Sequence, residues 1–82
     1  MRWIVIHEYD GGNTPYGIET ETETLPELFE KVEAEMNEED YPEEMDNPAI
    51  MGIAKKLGID FDPFNESLTF IDASEVGEFV KI

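Results

Sequence analysis

The chain of 82 residues contains no cysteine, and its five lysines and arginines stand against 21 aspartates and glutamates. Without cysteine it can form neither a disulfide framework nor a thiolate metal site. No stretch approaches the ~20 apolar residues of a membrane span. The apolar run at residues 3–6 is too short for a signal peptide. We therefore expect a cytoplasmic protein that does not enter membranes.

The excess of acidic over basic residues is concentrated in one part of the chain. Residues 8–46 hold 15 of the acidic residues and a single base, Lys31, so they carry −14 of the formal charge of −16. Such a surface repels nucleic acid and anionic membranes, and it attracts a protein with a dense positive field. The charge predicts a basic partner protein and argues against direct binding to nucleic acid.

Residues suited to catalysis are scarce. The sequence has one histidine, His7, and two serines, Ser67 and Ser74, neither of which lies in a nucleophile motif. A single histidine in a strand is usually a half-buried structural residue. Paired carboxylates need a cleft that separates their pKa values, and a chain this small has little room for one. We therefore expect neither enzymatic activity nor a cofactor.

The segment 60–65 begins like the calcium loop of an EF-hand and then departs from it. Phe64 occupies a ligand position, Asn65 stands where glycine is needed, and Ile71 stands where the bidentate glutamate belongs. We expect weak, adventitious calcium binding by the acidic connector at residues 40–46 rather than a dedicated site, so no metal site is predicted.

A β-hairpin is predicted at the start of the chain. Residues 3–9 are rich in β-branched and aromatic side chains and are apolar on both faces, and residues 10–13, Asp-Gly-Gly-Asn, favour a turn. Strict alternation predicts a second strand over 17–23. A loop of two or three residues would change the pairing by one position, and the sequence leaves that register open. One face of the second strand would carry Ile18, Thr20 and Thr22, and the other Glu19, Glu21 and Glu23.

The most strongly indicated element is a helix over residues 25–39. Thr24 is its predicted N-cap, Pro26 lies in the first turn, and Glu27 completes a capping box. Apolar residues recur at the i, i+3, i+4 spacing of a buried helical stripe. The members of this stripe are Leu25, Leu28, Phe29, Val32 and Met36.

A second helix and two further strands complete the prediction. Asn47 is the expected cap of the second helix, Pro48 its first residue, and Gly58 its left-handed end. Strands are expected over 68–72 and 77–82. This order predicts a single α+β domain, with an antiparallel sheet of about four strands and both helices on one face. The face of the first strand that carries Trp3, Val5 and His7 could pair two copies if nothing covers it, which leaves monomer and homodimer open.

The acidic residues form the candidate partner-binding site. Alternate residues of a strand lie ~6.7 Å apart on one face, so Glu19, Glu21 and Glu23 would form a row. That spacing is comparable to the separation of successive phosphates on a nucleic-acid strand. The row would continue along the exposed side of the first helix and into the inter-helix connector. The candidate residues are Glu19, Glu21, Glu23, Glu27, Glu30, Glu38, Glu39, Asp40, Tyr41, Glu43, Glu44 and Asp46.

A short, cysteine-free, strongly acidic α+β chain with a glutamate-rich helix resembles the small phage-encoded anti-defence proteins. These comprise anti-CRISPR proteins, anti-restriction DNA mimics and uracil-glycosylase inhibitors. The resemblance rests on size, on charge and on residues 19–46, and it includes no motif match. It implies inhibition of a CRISPR effector or another host nuclease by occupation of its nucleic-acid-binding surface.

Three other functions fit the same acidic surface. An immunity protein or antitoxin would neutralise one particular basic protein through a compact group of tyrosines and acids. A phage or plasmid accessory protein would have no inhibitory activity. The acids could also form only a solvated face, although Tyr9, Tyr16 and Tyr41 are interleaved with them, as aromatic anchors are at interfaces.

Overall fold

The computed structural model describes residues 1–42, 44–73 and 78–82, and its four strands form one sheet in the order β3-β1-β2-β4. Two helices accompany the sheet, so the predicted α+β fold is confirmed. Neither helix of the described segments is long and apolar enough to cross a membrane. The elements in chain order are β1 Arg2–Tyr9, β2 Gly12–Glu19, α1 Leu25–Ala34, a 3-10 turn Glu38–Asp40, α2 Ala49–Lys56, β3 Ser67–Asp72 and β4 Val80–Lys81.

Strand β1 lies in the centre of the sheet because it is apolar on both faces. Trp3, Val5 and His7 are buried, and Trp3 and Val5 share one core with the buried residues of both helices. Both helices therefore cover this face, as predicted. The condition for pairing two copies through this face, that nothing covers it, is therefore not met. The face without helices carries Ile4 and Ile6, which are half-buried.

The hairpin has a two-residue loop, which settles the register that the sequence left open. Tyr9 pairs with Gly12, so only Asp10 and Gly11 lie between the strands. Gly11 has a φ of +96°, a conformation that glycine adopts without steric cost. Val5 consequently pairs with residue 16 and faces the core beside it.

Strand β2 spans residues 12–19 rather than the predicted 17–23. Its first half contains Gly12 and Pro15, which are weak strand formers, but pairing with β1 overrides their preference. Pro15 is tolerated because β4 pairs with β2 only at residues 18 and 19, which leaves an open edge at Pro15. Strand β2 ends next to Thr20, which exchanges backbone hydrogen bonds with Met1 at 2.8 and 2.9 Å. Beyond it the chain bends, and the hydroxyl of Thr20 donates to the carbonyl of Thr22 at 3.1 Å.

The sheet is mixed, not wholly antiparallel as predicted. Strand β1 is antiparallel to both β2 and β3, but β4 is parallel to β2, with Ile18 paired to Val80. Strand β4 runs in the same direction as β3 and lies at the opposite edge of the sheet. It comprises two residues of the predicted strand 77–82. Gly77, the first residue of that predicted strand, lies outside the described residues.

Helix α1 starts as predicted but ends earlier. Thr24 accepts a hydrogen bond from the backbone N–H of Glu27 at 3.3 Å and donates one to its carboxylate at 3.1 Å. The helix ends at Ala34, five residues before the predicted Glu39. Asn37 starts a separate 3-10 turn there, and its backbone N–H donates to the carboxylate of Asp40 at 2.8 Å. An asparagine favours such a helix start over a helix interior.

Helix α2 begins at Ala49, with Pro48 as its N-cap residue, so the predicted capping by the side chain of Asn47 is wrong. Its end matches the prediction. Gly58 has a φ of +73°, its N–H donates to Lys55, and the N–H of the next residue donates to Ala54 at 2.9 Å. This is the hydrogen-bond pattern of a glycine-terminated helix.

Candidate functional site: an acidic surface on helix α1

The exposed side of helix α1 carries three glutamates, Glu27, Glu30 and Glu33, which we call the α1 acidic face. The buried residues Leu28 and Val32 lie on the opposite side of the helix. The three glutamates are exposed, and none of them forms an ion pair with a residue of the described segments. The sequence analysis named Glu27 and Glu30 but missed Glu33, although the i, i+3 spacing would have included it.

The predicted row of Glu19, Glu21 and Glu23 is wrong because β2 ends at Glu19. Glu21 lies in the bend that follows β2, and Glu23 directly precedes the helix cap Thr24. Both are exposed, so they remain near the start of α1 without forming a straight strand row.

Glu19 is set apart from the other predicted site residues by nearby cations. The Nε of Arg2 donates to its carboxylate at 2.9 Å. This hydrogen bond, with the positive charges of Arg2, Lys81 and the N-terminus, holds the pKa of Glu19 below its ordinary value. Its charge is therefore locally balanced and contributes little to an external negative field.

The connector between the helices carries the next acidic residues of the prediction. Glu38, Glu39 and Asp40 form the 3-10 turn, and all three are exposed. Glu44 and Asp46 are exposed as well, while Tyr41 is half-buried. The remaining predicted residue, Glu43, lies outside the described residues.

The tyrosines do not all serve as exposed anchors. Tyr16 packs against the core. Tyr9 is exposed at the hairpin, where its hydroxyl lies 3.0 Å from that of Thr14. Since Tyr41 is half-buried, the predicted interleaving of exposed tyrosines with acids is only partly present.

Three of the five basic side chains have partners other than the α1 acidic face. Lys31 follows Glu27 by four residues, a spacing suited to an ion pair, but its ammonium donates to the carbonyl of Ile82 at 3.4 Å. Lys56 lies 3.4 Å from the carboxylate of Glu35. Arg2 is occupied by Glu19. This distribution concentrates uncompensated negative charge on the outer side of α1.

His7 has a structural environment, as expected. It is 8% exposed, and its Nε2–H donates to the carboxylate of Glu66 at 2.7 Å. Its ring lies 5.0 Å from that of Tyr9 and 5.7 Å from that of Phe61. These contacts hold the loop that precedes β3 against β1.

The loop that resembles a calcium site is organised by hydrogen bonds within the protein. One carboxylate oxygen of Asp62 accepts from the N–H of Phe64 at 3.0 Å, and the other accepts from the side chain of Asn65 at 2.7 Å. Within the described part of the chain, no group of three or more histidine or acidic residues is arranged to hold a metal ion.

Comparison of the chain with family models, with curated proteins and with solved structures found no match.

Proposed function

We propose that this protein binds the basic nucleic-acid-binding surface of another protein through the α1 acidic face and the exposed acids of the connector. By occupying that surface it excludes nucleic acid, and it acts without chemistry of its own. A nuclease or a CRISPR effector in the cytoplasm of a bacterial host is the proposed class of partner. This is the activity that the resemblance to phage anti-defence proteins implies.

One observation carries the proposal: Glu27, Glu30 and Glu33 are exposed together and have no cationic partner among the described residues. Acids that serve only solubility can be spread over the surface and mixed with bases. Here Arg2, Lys31 and Lys56 contact Glu19, Ile82 and Glu35 instead, and one side of a single helix remains negative.

The spacing of the three glutamates suits a phosphate-binding surface. Side chains at i and i+3 on a helix are about 5–6 Å apart at Cβ. Phosphates on one DNA strand advance about 3.4 Å along the axis, and their direct separation is larger. Lysines and arginines placed to meet successive phosphates can therefore meet successive glutamates of this face.

Long-range attraction adds to these contacts. A formal charge of −16 on 82 residues steers a basic protein toward the acidic surface and raises the association rate at low ionic strength. The association rate constant should fall steeply as salt is added, while the dissociation rate constant changes less.

Inhibition and competition assays test the proposal. Purified nucleases and CRISPR effectors are assayed for cleavage with and without the protein, and bound protein is challenged with DNA or guide RNA. We expect inhibition that nucleic acid relieves competitively. The variant Glu27→Lys/Glu30→Lys/Glu33→Lys should lose most of this inhibition and remain folded.

The matched control reverses three exposed acids elsewhere, Asp10→Lys/Asp72→Lys/Glu78→Lys. It changes the net charge by the same amount and should keep most of the inhibition. Equal losses in the two variants would show that net charge alone matters and would overturn the role of the α1 acidic face.

A neutralising partner for one particular basic protein, as in an immunity protein, is the second candidate. It is favoured by an apolar groove of about 630 Å³ beside the acids of the 3-10 turn, since such a groove can hold one anchoring side chain. A protein of this class would lose most of its affinity at one or two positions. A phosphate mimic would lose affinity in graded steps along the surface.

A further inference from the structure

A groove runs between the C-terminal end of α1, helix α2 and the chain that follows α2. It measures about 630 Å³, and its apolar lining includes Met36, Met51, Ile59 and Phe61. All four are half-buried, so part of each side chain stays accessible from outside. The volume lies within the range of sites that take small ligands or single side chains, roughly 300–1,000 Å³.

The rim of the groove is charged and mainly negative. Four carboxylates line it, against Lys55 and Lys56, and Lys56 is already paired with one of the four at 3.4 Å. A cationic occupant is therefore favoured over an anionic one, both by the rim and by the overall charge. The four carboxylates belong to Glu35, Glu39, Asp40 and Asp60.

The groove is continuous with the surface already described, because Glu39 and Asp40 belong both to its rim and to the candidate partner-binding residues. Its position is set by the crossing of the two helices. Gly52 lies so close to α1 that a Cβ built there would be 2.5 Å from Cγ1 of Val32. The helices α1 and α2, which form the walls of the groove, are thus packed against each other.

We infer that this groove binds a short basic polypeptide segment of the partner, which places one apolar side chain on Met36, Met51 and Phe61. The flanking lysines or arginines of that segment meet Glu39, Asp40 and Asp60 on the rim. Methionine suits such a floor because its flexible, polarisable side chain adapts to different apolar shapes. The inference extends the proposed function by naming a feature of the partner beyond its charge.

Methionine methyl NMR on the intact protein tests the groove directly. The chain has four methionines. Met36 and Met51 line the groove, whereas Met1 and Met45 do not and serve as internal references. The probe is a short peptide of alternating lysine and leucine. We expect its addition to shift the methyl signals of Met36 and Met51 and to leave those of Met1 and Met45 in place.

Two matched peptides separate the apolar contribution from the charge. Replacing the leucines by serine keeps the charge and should abolish the shifts at Met36 and Met51. Replacing the lysines by glutamate keeps the apolar side chains and should also abolish them. Equal shifts from the lysine–serine peptide would mean that charge alone drives binding and would overturn the inferred binding of an apolar side chain in the groove.

Paired variants give a second readout. Phe61→Ser removes part of the groove floor, whereas Phe64→Ser changes an aromatic residue that is 69% exposed and outside the groove. We expect the Phe61 variant to bind the lysine–leucine peptide about tenfold more weakly, which corresponds to ~1.4 kcal/mol. The Phe64 variant should bind like the wild type, and equal binding by both variants would contradict the inference.

Thermal melting reports whether Phe61→Ser remains folded. If it does not, the rim supplies the replacement pair: Glu39→Gln on the groove against Glu78→Gln beside β4, both exposed. Only Glu39→Gln should weaken binding of the lysine–leucine peptide. These readouts are independent of the proposed function, because the methyl shifts need no nuclease and the inhibition assay of the α1 variants leaves the groove intact.

Discussion

Arg2 and Glu19 form an ion pair across β1 and β2, with the Nε of Arg2 2.9 Å from the Oε2 of Glu19. The ring of Phe79 lies 4.3 Å from the guanidinium carbon, which holds the arginine in place. A predicted site residue is thereby bound within its own molecule. Glu19 is therefore less available to a partner protein than the glutamates of the α1 acidic face.

The first prediction compares two neutralising substitutions. Glu19→Gln should leave partner binding nearly unchanged, because Arg2 already balances that carboxylate. Glu30→Gln should weaken binding about threefold, as expected for one exposed charge at an interface. Both affinities are measured by surface plasmon resonance at low salt. A larger effect of Glu19→Gln than of Glu30→Gln would contradict the assignment of the site to α1.

The second prediction concerns the crossing of the helices. Gly52→Ala gains up to about 1 kcal/mol in helix propensity, but its methyl group would lie 2.5 Å from Val32. Overpacking of this kind costs roughly 1–3 kcal/mol, so we expect a net loss of stability and a melting temperature about 5 °C lower.

The control for Gly52→Ala is the same substitution in a Val32→Ala background, where the nearer of the two clashing groups is absent. The other is the sulfur of Met36, 2.8 Å from the new methyl group, which can move because its side chain is flexible. The alanine should therefore cost less relative to the single Val32→Ala variant than it does in the wild type, as measured by chemical denaturation. An equal cost in both backgrounds would show that contact with Val32 is not the source of the loss.

The third prediction is a pH dependence of stability at Glu66. The Nε2–H of His7 and the backbone N–H of Asp62 donate to its carboxylate, and they hold its pKa below the ordinary value of 4.5. Because the folded-state pKa is lowered, the stabilisation is complete above pH 4.5, where the unfolded chain is also ionised. It is lost as the pH falls through the lower, folded-state pKa.

The variant Glu66→Gln isolates this contribution. The difference in melting temperature between wild type and variant should shrink as the pH falls below 4.5. Differential scanning calorimetry in matched buffers measures it. A difference that stays constant down to strong acid would mean that the hydrogen bonds do not depend on the ionised carboxylate.

The fourth prediction is that salt stabilises the fold. Exposed ion pairs such as Lys56–Glu35 are worth about 0.2–1 kcal/mol and weaken in salt. Salt also screens the repulsion among the acids of this chain of formal charge −16, with a screening length of ~8 Å at physiological ionic strength. We expect the stability gained from this screening to exceed the stability lost from the weakened ion pairs. The melting temperature should rise with sodium chloride, and less so for the less negative triple-lysine variant of α1. A fall on adding salt would contradict the prediction.

The parts of the site that could be predicted are those that depend on helical periodicity. Glu27 and Glu30 were assigned to the exposed side of α1 because the apolar stripe identifies the opposite side, and the same reasoning reaches Glu33. The strand row could not be predicted correctly, since the end of β2 depends on its pairing with β1, a contact between separate parts of the chain. The groove was missed because its floor comes from separate segments of the chain.

The amino-acid sequence by itself determined the elements whose signals are local. Thr24 and Pro26 start α1, Gly58 ends α2, and residues 10–13 place the hairpin turn, because each acts on backbone groups within a few residues. Only the tertiary structure decided the register of β2, the parallel pairing of β4 and the neutralisation of Glu19 by Arg2. Those outcomes depend on residues far apart in the chain that meet only when the sheet and its core have formed.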